Sequence, residues 1–336
     1  MNIGHASRLR GAKKWGQFAL LPLSALVLSA CAHAPDLPSV TAKQTSDYAS
    51  AKSFDVNNKV SWPVDRWWLR YGDTQLNQLM EEAVSDSPTL KAAAARLKSA
   101  DGLAQQAGAS RSVQVGMALS ASESKVSYQY QAYAPPQNWN DYGSATLNFS
   151  YDFDFWGKNR SAVAAATSDF AAAQAESAQA QLMISTSLAQ AYAELARLYS
   201  NRDTAATALD IRNKTVSLML QRFNNGLETK GVLRQVESLR ASAEADVLSL
   251  DEAIALQKNA LAALLGKGPD RGMTISRPNV KLQQTFGLPK EAGVGLLGHR
   301  PDVTASRWRA ESAAKRIGIA KAQFYPDVSL SAFIGY

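Results

Sequence analysis

Cysteine is almost missing from this chain: Cys31 is the only one in 336 residues. No internal disulfide can therefore staple the fold. Histidine is nearly as scarce, at His5, His33 and His299, so no Cys/His spacing for a metal centre exists. Neither a P-loop nor a nucleophile elbow is present. These gaps argue against an enzyme, and carboxylates scattered on alanine-rich stretches read as solvated faces. A continuous apolar run of about 20 residues, the length of a membrane-spanning helix, is also lacking. Finally, residues 158–265 contain no proline, and their only glycines are Gly226 and Gly231. A segment so free of helix breakers can continue as helix far beyond the usual length.

What the first forty residues do contain is a targeting signal. Arg8, Arg10, Lys13 and Lys14 precede the apolar run Phe18 to Leu28, about eleven residues long and so suited to a secretory h-region. The run ends in Leu28-Ser29-Ala30-Cys31. Small residues before a lone cysteine resemble the bacterial lipobox, in which the sulfur takes a diacylglycerol and the cysteine becomes the new N-terminus. Ala32, where inner-membrane lipoproteins carry Asp, favours sorting to the outer membrane by the same resemblance. An accidental cysteine beside an ordinary cleavage site is the competing reading. The formal charge is +7 for the whole chain, from 36 basic and 29 acidic residues. Removal of residues 1–30, with four basic and no acidic groups, leaves 32 against 29, or +3. So small an excess, without a basic stripe interleaved by aromatics, gives no support for nucleic-acid binding.

Three textures follow the signal and a Ser/Ala/Asn/Asp/Lys-rich tether. Between Asp73 and about Ser112, Leu76, Leu79, Met80, Ala83 and Val84, then Leu90, Ala94 and Leu97, recur at helical spacing, with Pro88 placed to start a second helix. The pattern then switches to period two. Val113, Val115, Met117, Leu119 and Ala121 alternate with small or polar residues; beyond a Pro/Asn/Gly-bearing loop, Leu147, Phe149, Tyr151, Phe153 and Phe155 alternate with Thr146, Asn148, Ser150, Asp152 and Asp154. Ten alternating residues suit a transmembrane β-strand, and ten of the 28 aromatics fall between Tyr128 and Trp156 as an interfacial girdle requires. A soluble antiparallel hairpin with one wet face fits the pattern equally well. The third texture is helical and alanine-rich: 25 of residues 157–266 are alanine. Two helices joined near Asn224-Asn225-Gly226 are predicted, the first over roughly 158–222. That helix would be about 98 Å long at 1.5 Å per residue, too long for a compact domain to bury, so it must lie among similar rods.

The start of the pattern returns near the end of the sequence. Pro88–Val115 and Pro301–Val328 align at constant offset with eight identities in 28 positions, including Arg96/Arg309, Ser99/Ser312 and Ala100/Ala313. A third strand begins at Val328, and a further strand and long helical pair are expected beyond Tyr336, so the chain reads as truncated. The segments are 1–30 signal peptide, 31–65 anchor and tether, 66–112 helices of the first repeat and 113–156 β-hairpin. The remainder are 157–266 long helical hairpin, 267–293 linker, and 294–336 start of the second repeat. Two strands, or four, cannot close a barrel, and open sheet edges are not tolerated in lipid. Membrane strands here would require several subunits to share one barrel, continued by their helices as a hollow cylinder.

Three segments carry a family resemblance: Trp67-Trp68-Leu69-Arg70-Tyr71-Gly72-Asp73, Ser150-Tyr151-Asp152-Phe153-Asp154-Phe155-Trp156-Gly157-Lys158-Asn159-Arg160, and Arg300-Pro301-Asp302-Val303. In this order they resemble the TolC-type outer membrane efflux factors, and most of all their lipoprotein branch (NodT/OprM-like) that serves resistance-nodulation-division (RND) pumps. The resemblance implies a mainly α fold with membrane β: long antiparallel coiled-coil helices forming part of a periplasmic α-barrel, and β-hairpins contributing to a shared trimeric transmembrane β-barrel. It implies a lipid-anchored homotrimer in the outer membrane, docked on a periplasmic adaptor (membrane fusion) protein and an inner-membrane RND-type pump, and passing drugs or other small solutes outward. No cofactor is implied beyond the lipid on Cys31. Arg222, Asn225, Gly226 and Thr229 match the hairpin tip that meets the adaptor, although Gly231 stands where the family has an acidic residue, and plain Asn-Gly turn chemistry explains the same residues. Gly157 fits a strand-to-helix corner. Asp152 and Asp154, opposite the aromatics, are candidates to face the lumen or the junction of barrel and cylinder; a solvated strand end is the alternative. A type I protein-secretion duct would share this architecture. A purely structural coiled-coil envelope lipoprotein would not need the aromatic strand.

Two outcomes are expected. Cys31→Ala should abolish incorporation of labelled palmitate and loosen membrane fractionation; full labelling of the variant would reject the lipobox. The 336-residue product alone should fail to form a sealed, conducting pore in a planar bilayer.

Overall fold

The computed structural model describes residues 66–125, 127, 129, 137–280 and 295–336. Cys31 and the tether lie outside the described residues. The elements are a 3-10 turn at Trp67–Tyr71, α1 (Thr74–Asp86), α2 (Pro88–Ala109), β1 (Gln114–Ser124), β2 (Asn140–Phe153) and α3 (Lys158–Asn224). They continue with α4 (Lys230–Leu264), α5 (Pro269–Met273), α6 (Gly295–His299), α7 (Pro301–Ala322) and β3 (Val328–Gly335). Among the described residues no helix is long and apolar enough to cross a membrane.

The helix bounds follow the expected punctuation. Proline opens α2 and α7, where its missing N–H and fixed φ cost nothing; both helices are 22 residues long. Residues 158–224 run unbroken as α3, 67 residues of helix. The sheet is antiparallel with order β1-β2-β3. Gln114 pairs with Ser150 and Ser124 with Asn140 across the hairpin, while Phe153 pairs with Val328 on the other side. The alternation predicted a strand through Phe155; β2 instead begins earlier and stops at Phe153. Asp154 is recruited to the first turn of α3, as described below.

The described chain divides into two compact units. One comprises Ala100–Phe170 and Trp308–Tyr336, holding the sheet; the other holds residues 66–99 and Ala171–Arg307. The larger core belongs to the second unit. Leu76, Leu79, Met80 and Ala83 of α1 meet Leu188, Tyr192 and Leu195 of α3, Ile254 and Leu261 of α4, and Ile275. Of the apolar rows legible in the sequence, Leu76, Leu79, Met80 and Ala83 are buried here, whereas Val84 and Ala94 are exposed and Leu90 and Leu97 lie outside this core. At the end of α4, Gly266 adopts φ +71°, and a Cβ there would lie 2.5 Å from Pro88 Cδ. Only glycine permits that approach.

Polar groups fasten this core. Asp73 is buried, and its carboxylate accepts four hydrogen bonds: Gln75 N at 2.9 Å and Leu76 N at 3.2 Å as the N-cap of α1, Asn279 N at 2.8 Å, and the Tyr192 hydroxyl at 2.9 Å. Tyr192 in turn accepts from Gln75 Nε2 at 2.7 Å, and Gln75 Oε1 accepts from Ser276 N and Oγ. Burial, with Asp73 adding to it, pushes the Tyr192 phenol up, so it stays a donor at any ordinary pH. At the rim, Arg271 forks onto Glu82, and Lys267 pairs with Asp86 at 2.8 Å.

Chemical denaturation should rank three variants. Tyr192→Phe is expected to cost about 1 kcal/mol, one net hydrogen bond. Leu195→Ala should cost about 2–5 kcal/mol through its cavity. Asp73→Ala should exceed Tyr192→Phe, because it strands four donors; equal losses would remove Asp73 from its central place.

Candidate functional site

Sequence reasoning pointed to two places, the strand-to-helix corner and the helical-hairpin tip. At the corner the chain must turn from extended β2 into α3 within four residues. Gly157 supplies φ +76°, a left-handed conformation that side chains resist. Its N–H donates to Asp154 O at 3.4 Å and its carbonyl accepts from Ser161 N at 2.9 Å. Asp154 turns its carboxylate onto the new helix, accepting Asn159 N at 2.9 Å and Arg160 N at 2.8 Å, with Arg160 Nε 3.4 Å away. Burial works to raise the Asp154 carboxyl, but the two backbone N–H groups and the Arg160 guanidinium hold it below the usual range. Anionic Asp154 thus serves the positive end of α3.

The same corner is braced from α7 and from the link between α7 and β3. Trp156 stacks on Tyr325 with ring centroids 4.4 Å apart, and its Nε1–H donates to Pro326 O at 3.1 Å. Lys158 Nζ donates to Asp327 at 2.8 Å, and this bond keeps the ammonium pKa above its ordinary value. Further along, Arg316 pairs with Asp169 at 2.8 Å. Gly318 passes close to Ser161, whose Oγ would lie 3.0 Å from an added Cβ. Tyr151 and Phe153 meet edge to face, and Phe153 stacks on Phe155. Beside these rings Arg111, Arg160, Asp152 and Asp154 line a recess of about 310 Å³.

Asp152 and Asp154 therefore lie together at the corner. The alternation treated them alike; their surroundings differ, since Asp154 caps α3 while the Asp152 carboxylate makes no hydrogen bond with a described residue and acts on Lys158 only through its charge. Sequence reasoning missed Arg111, Trp156 and Lys158 as parts of this place. Trp156 and Lys158 sit within the quoted signature; Arg111 carries no local signal, because only β1–β2 pairing brings it to Phe153.

At the tip, Arg222, Asn225, Gly226 and Thr229 are brought into one turn. Gly226, at φ +73°, and Leu227 donate to Phe223 O and Arg222 O at 2.9 and 2.8 Å, the paired bonds that close a helix end. Thr229 caps α4, its Oγ1 accepting Val232 N at 3.4 Å. Arg222 pairs with Glu228 at 3.3 Å, and Leu227 is 66% exposed. Glu228 and Leu227 were not singled out by sequence. A Cβ added at Gly231 would lie 3.8 Å from Thr229 Oγ1, so the position has room for a side chain. Among the described residues, no group of three His, Cys, Asp or Glu is placed to hold a metal ion.

Comparison with known proteins gives this geometry a context. Residues 79–267 match the profile of a family described as outer membrane efflux protein. The fusaric acid resistance protein FusA of Burkholderia cepacia is 32% identical over 327 residues, 95% of this chain and 61% of FusA. The outer membrane protein VceC of Vibrio cholerae superposes with TM-score 0.74 and 61% identity, over 82% of this chain and 65% of VceC. The Campylobacter jejuni CmeC outer membrane channel, 20% identical, shares the fold with TM-score 0.75 over 89% of this chain and 64% of CmeC. The chain thus spans 61% of the length of the curated relative FusA.

Asp154→Ala should free the first turn of α3. Hydrogen exchange at the amides of Asn159 and Arg160 is expected to accelerate about fivefold or more, matching the roughly 1 kcal/mol of a lost cap. Unchanged protection would mean that Gly157 and Trp156 alone hold the corner.

Proposed function

The chain belongs to the outer membrane efflux protein family, and from that premise we propose that it is a subunit of the outer-membrane exit duct of a tripartite efflux system. Three copies would each contribute strands to one transmembrane barrel and long helices to one periplasmic cylinder, the two halves of each subunit arising by internal duplication. The observation that carries this reading is the union at Gly157 of an antiparallel sheet bearing exposed aromatic and aliphatic side chains with a 67-residue helix. Neither part can satisfy itself alone: the sheet has open edges, which lipid forbids, and the helix has more length than one subunit covers.

The duct does no chemistry in this proposal. Drugs or other small solutes move down it, and the energy comes from an inner-membrane pump of the RND type reached through a periplasmic adaptor. Fusaric acid resistance and multidrug resistance are the roles named for FusA and for MdtP of Escherichia coli; an amphipathic organic cargo is the corresponding proposal here. The tip with Arg222, Asn225, Gly226, Thr229 and exposed Leu227 is the adaptor-facing end, supported by its position between the two long helices. Asp152 and Asp154 belong to the junction of barrel and cylinder, and Cys31 carries the outer-membrane lipid anchor.

Single-channel recording tests the proposal. The purified full-length gene product should form a trimer with steady conductance in planar bilayers, and it should restore drug tolerance to a strain lacking its own outer-membrane duct. A soluble product without trimer or conductance would overturn the reading.

A further inference from the structure

The helical-hairpin tip carries a reactivity that its turn geometry does not require. Asn225-Gly226 is the only Asn-Gly step in the chain; every other asparagine is followed by a residue with a side chain. The step lies between α3 and α4, and both of its residues are exposed. A Cβ added at Gly226 would meet nothing within 4 Å, so the space around it is open. The Asn225 carboxamide makes no hydrogen bond with a described residue, and only its backbone N–H is engaged, donating to Gln221 O at 3.1 Å. Other asparagine amides are tied down: Asn140 Nδ2 donates to Gln137 O and Asn138 O, and Asn148 Nδ2 to Thr146 Oγ1. A free carboxamide thus precedes the one backbone nitrogen that no side chain shields.

We infer that Asn225 is a site of spontaneous self-modification, converting to aspartate and isoaspartate through a cyclic imide formed with Gly226. The Gly226 nitrogen attacks Asn225 Cγ; an N–Cγ bond forms and the Cγ–Nδ2 bond breaks. The proton lost from the Gly226 nitrogen is balanced by one gained on the departing group, which leaves as ammonia. Water then opens the imide. Addition at Cγ gives aspartate, and addition at the main-chain carbonyl gives isoaspartate, in which the chain runs through Cγ. Nothing is oxidised or reduced, and water is the only other reactant. The closed turn sets the pace: Gly226 N–H is held by Phe223 O at 2.9 Å and Leu227 N–H by Arg222 O at 2.8 Å, so attack requires the end of α3 to open locally. The products then oppose its closure. Either one adds a carboxylate at the negative end of α3, where Arg222 is already paired with Glu228. Isoaspartate also lengthens the backbone inside both hydrogen-bonded rings, which no longer fit the helix end. Ageing therefore unfastens the tip. In the duct proposed above, and resting on that reading, the unfastened end is the one that faces the adaptor.

The test incubates the purified full-length gene product in detergent at neutral pH, with samples read by peptide mass mapping and by enzymatic methylation of isoaspartate. Fresh protein should carry intact Asn225, and aged protein should gain the acid mass there ahead of every other asparagine. Conversion should quicken as pH rises, because attack needs the Gly226 nitrogen to give up its proton. A peptide of residues 223–229, which lacks the closed turn, should convert about fivefold faster or more, the suppression expected of a cap that opens locally. Asn225→Gln should show no product at this position, since its longer side chain disfavours ring closure, while Asn224→Gln should leave conversion unchanged. Hydrogen exchange at the amides of Gly226 and Leu227 should be faster in aged wild type than in fresh Asn225→Asp, which adds the charge without lengthening the backbone. Intact Asn225 in protein aged until the peptide has fully converted overturns the inference, and so does equal conversion at several asparagines. Neither chemical readout needs a conducting trimer. A trimer that conducts with Asn225 unmodified sinks this inference alone, and a modified product that neither inserts nor conducts sinks the duct proposal alone.

Discussion

A carboxylate buried without a cation is the constraint on which the larger core is built. Asp73 is 5% exposed and accepts from two backbone N–H groups of α1, from Asn279 N and from the Tyr192 hydroxyl. Burying a charge is costly unless every lone pair finds a donor. Here the donors come from three distant parts of the chain, so the charge is tolerated only when α1, α3 and the segment after α5 are all in place. The aliphatic contacts among Leu79, Leu195 and Leu261 are less particular, since apolar packing accepts small slips. The hydrogen bonds to Asp73 do not, and they fix register where hydrophobic burial fixes only proximity.

A related economy operates at the sheet. A β-strand and a 67-residue helix meet in a few residues, and the change of backbone geometry leaves helix N–H groups without partners. Asp154 meets this need by leaving the strand pattern and capping α3, while Gly157 accepts the left-handed conformation. Trp156, Lys158 and their partners Tyr325, Pro326 and Asp327 then tie β3 to the same corner. Of the two acidic residues in this stretch of the signature, Asp154 thus serves as structure.

Much of this was legible in the residues. The helical spacing of Leu76, Leu79, Met80 and Ala83 identified a core row, because burial demands periodicity. Absence of proline and glycine from 158–222 announced the long helix, and Asn225-Gly226 its end. Strand alternation found β1 and β2 but overran the end of β2, since a period-two pattern cannot register that Asp154 has a better partner in the next helix. Val84 and Ala94 share the spacing of their apolar neighbours yet are exposed. Periodicity records which face a residue occupies, not whether a partner covers it.

The sequence by itself determined the menu of elements, the order in which they follow and the family likeness, because each depends on local propensity and on spacing within short windows. Only the tertiary structure decided that Asp73 bonds to Asn279 and Tyr192, and that Arg111 and Phe153 line one recess. These pairs are separated by tens to hundreds of positions, and no local rule links them. Their meeting follows from strand register and helix packing, which are set by the energy of the whole fold and not by any one segment.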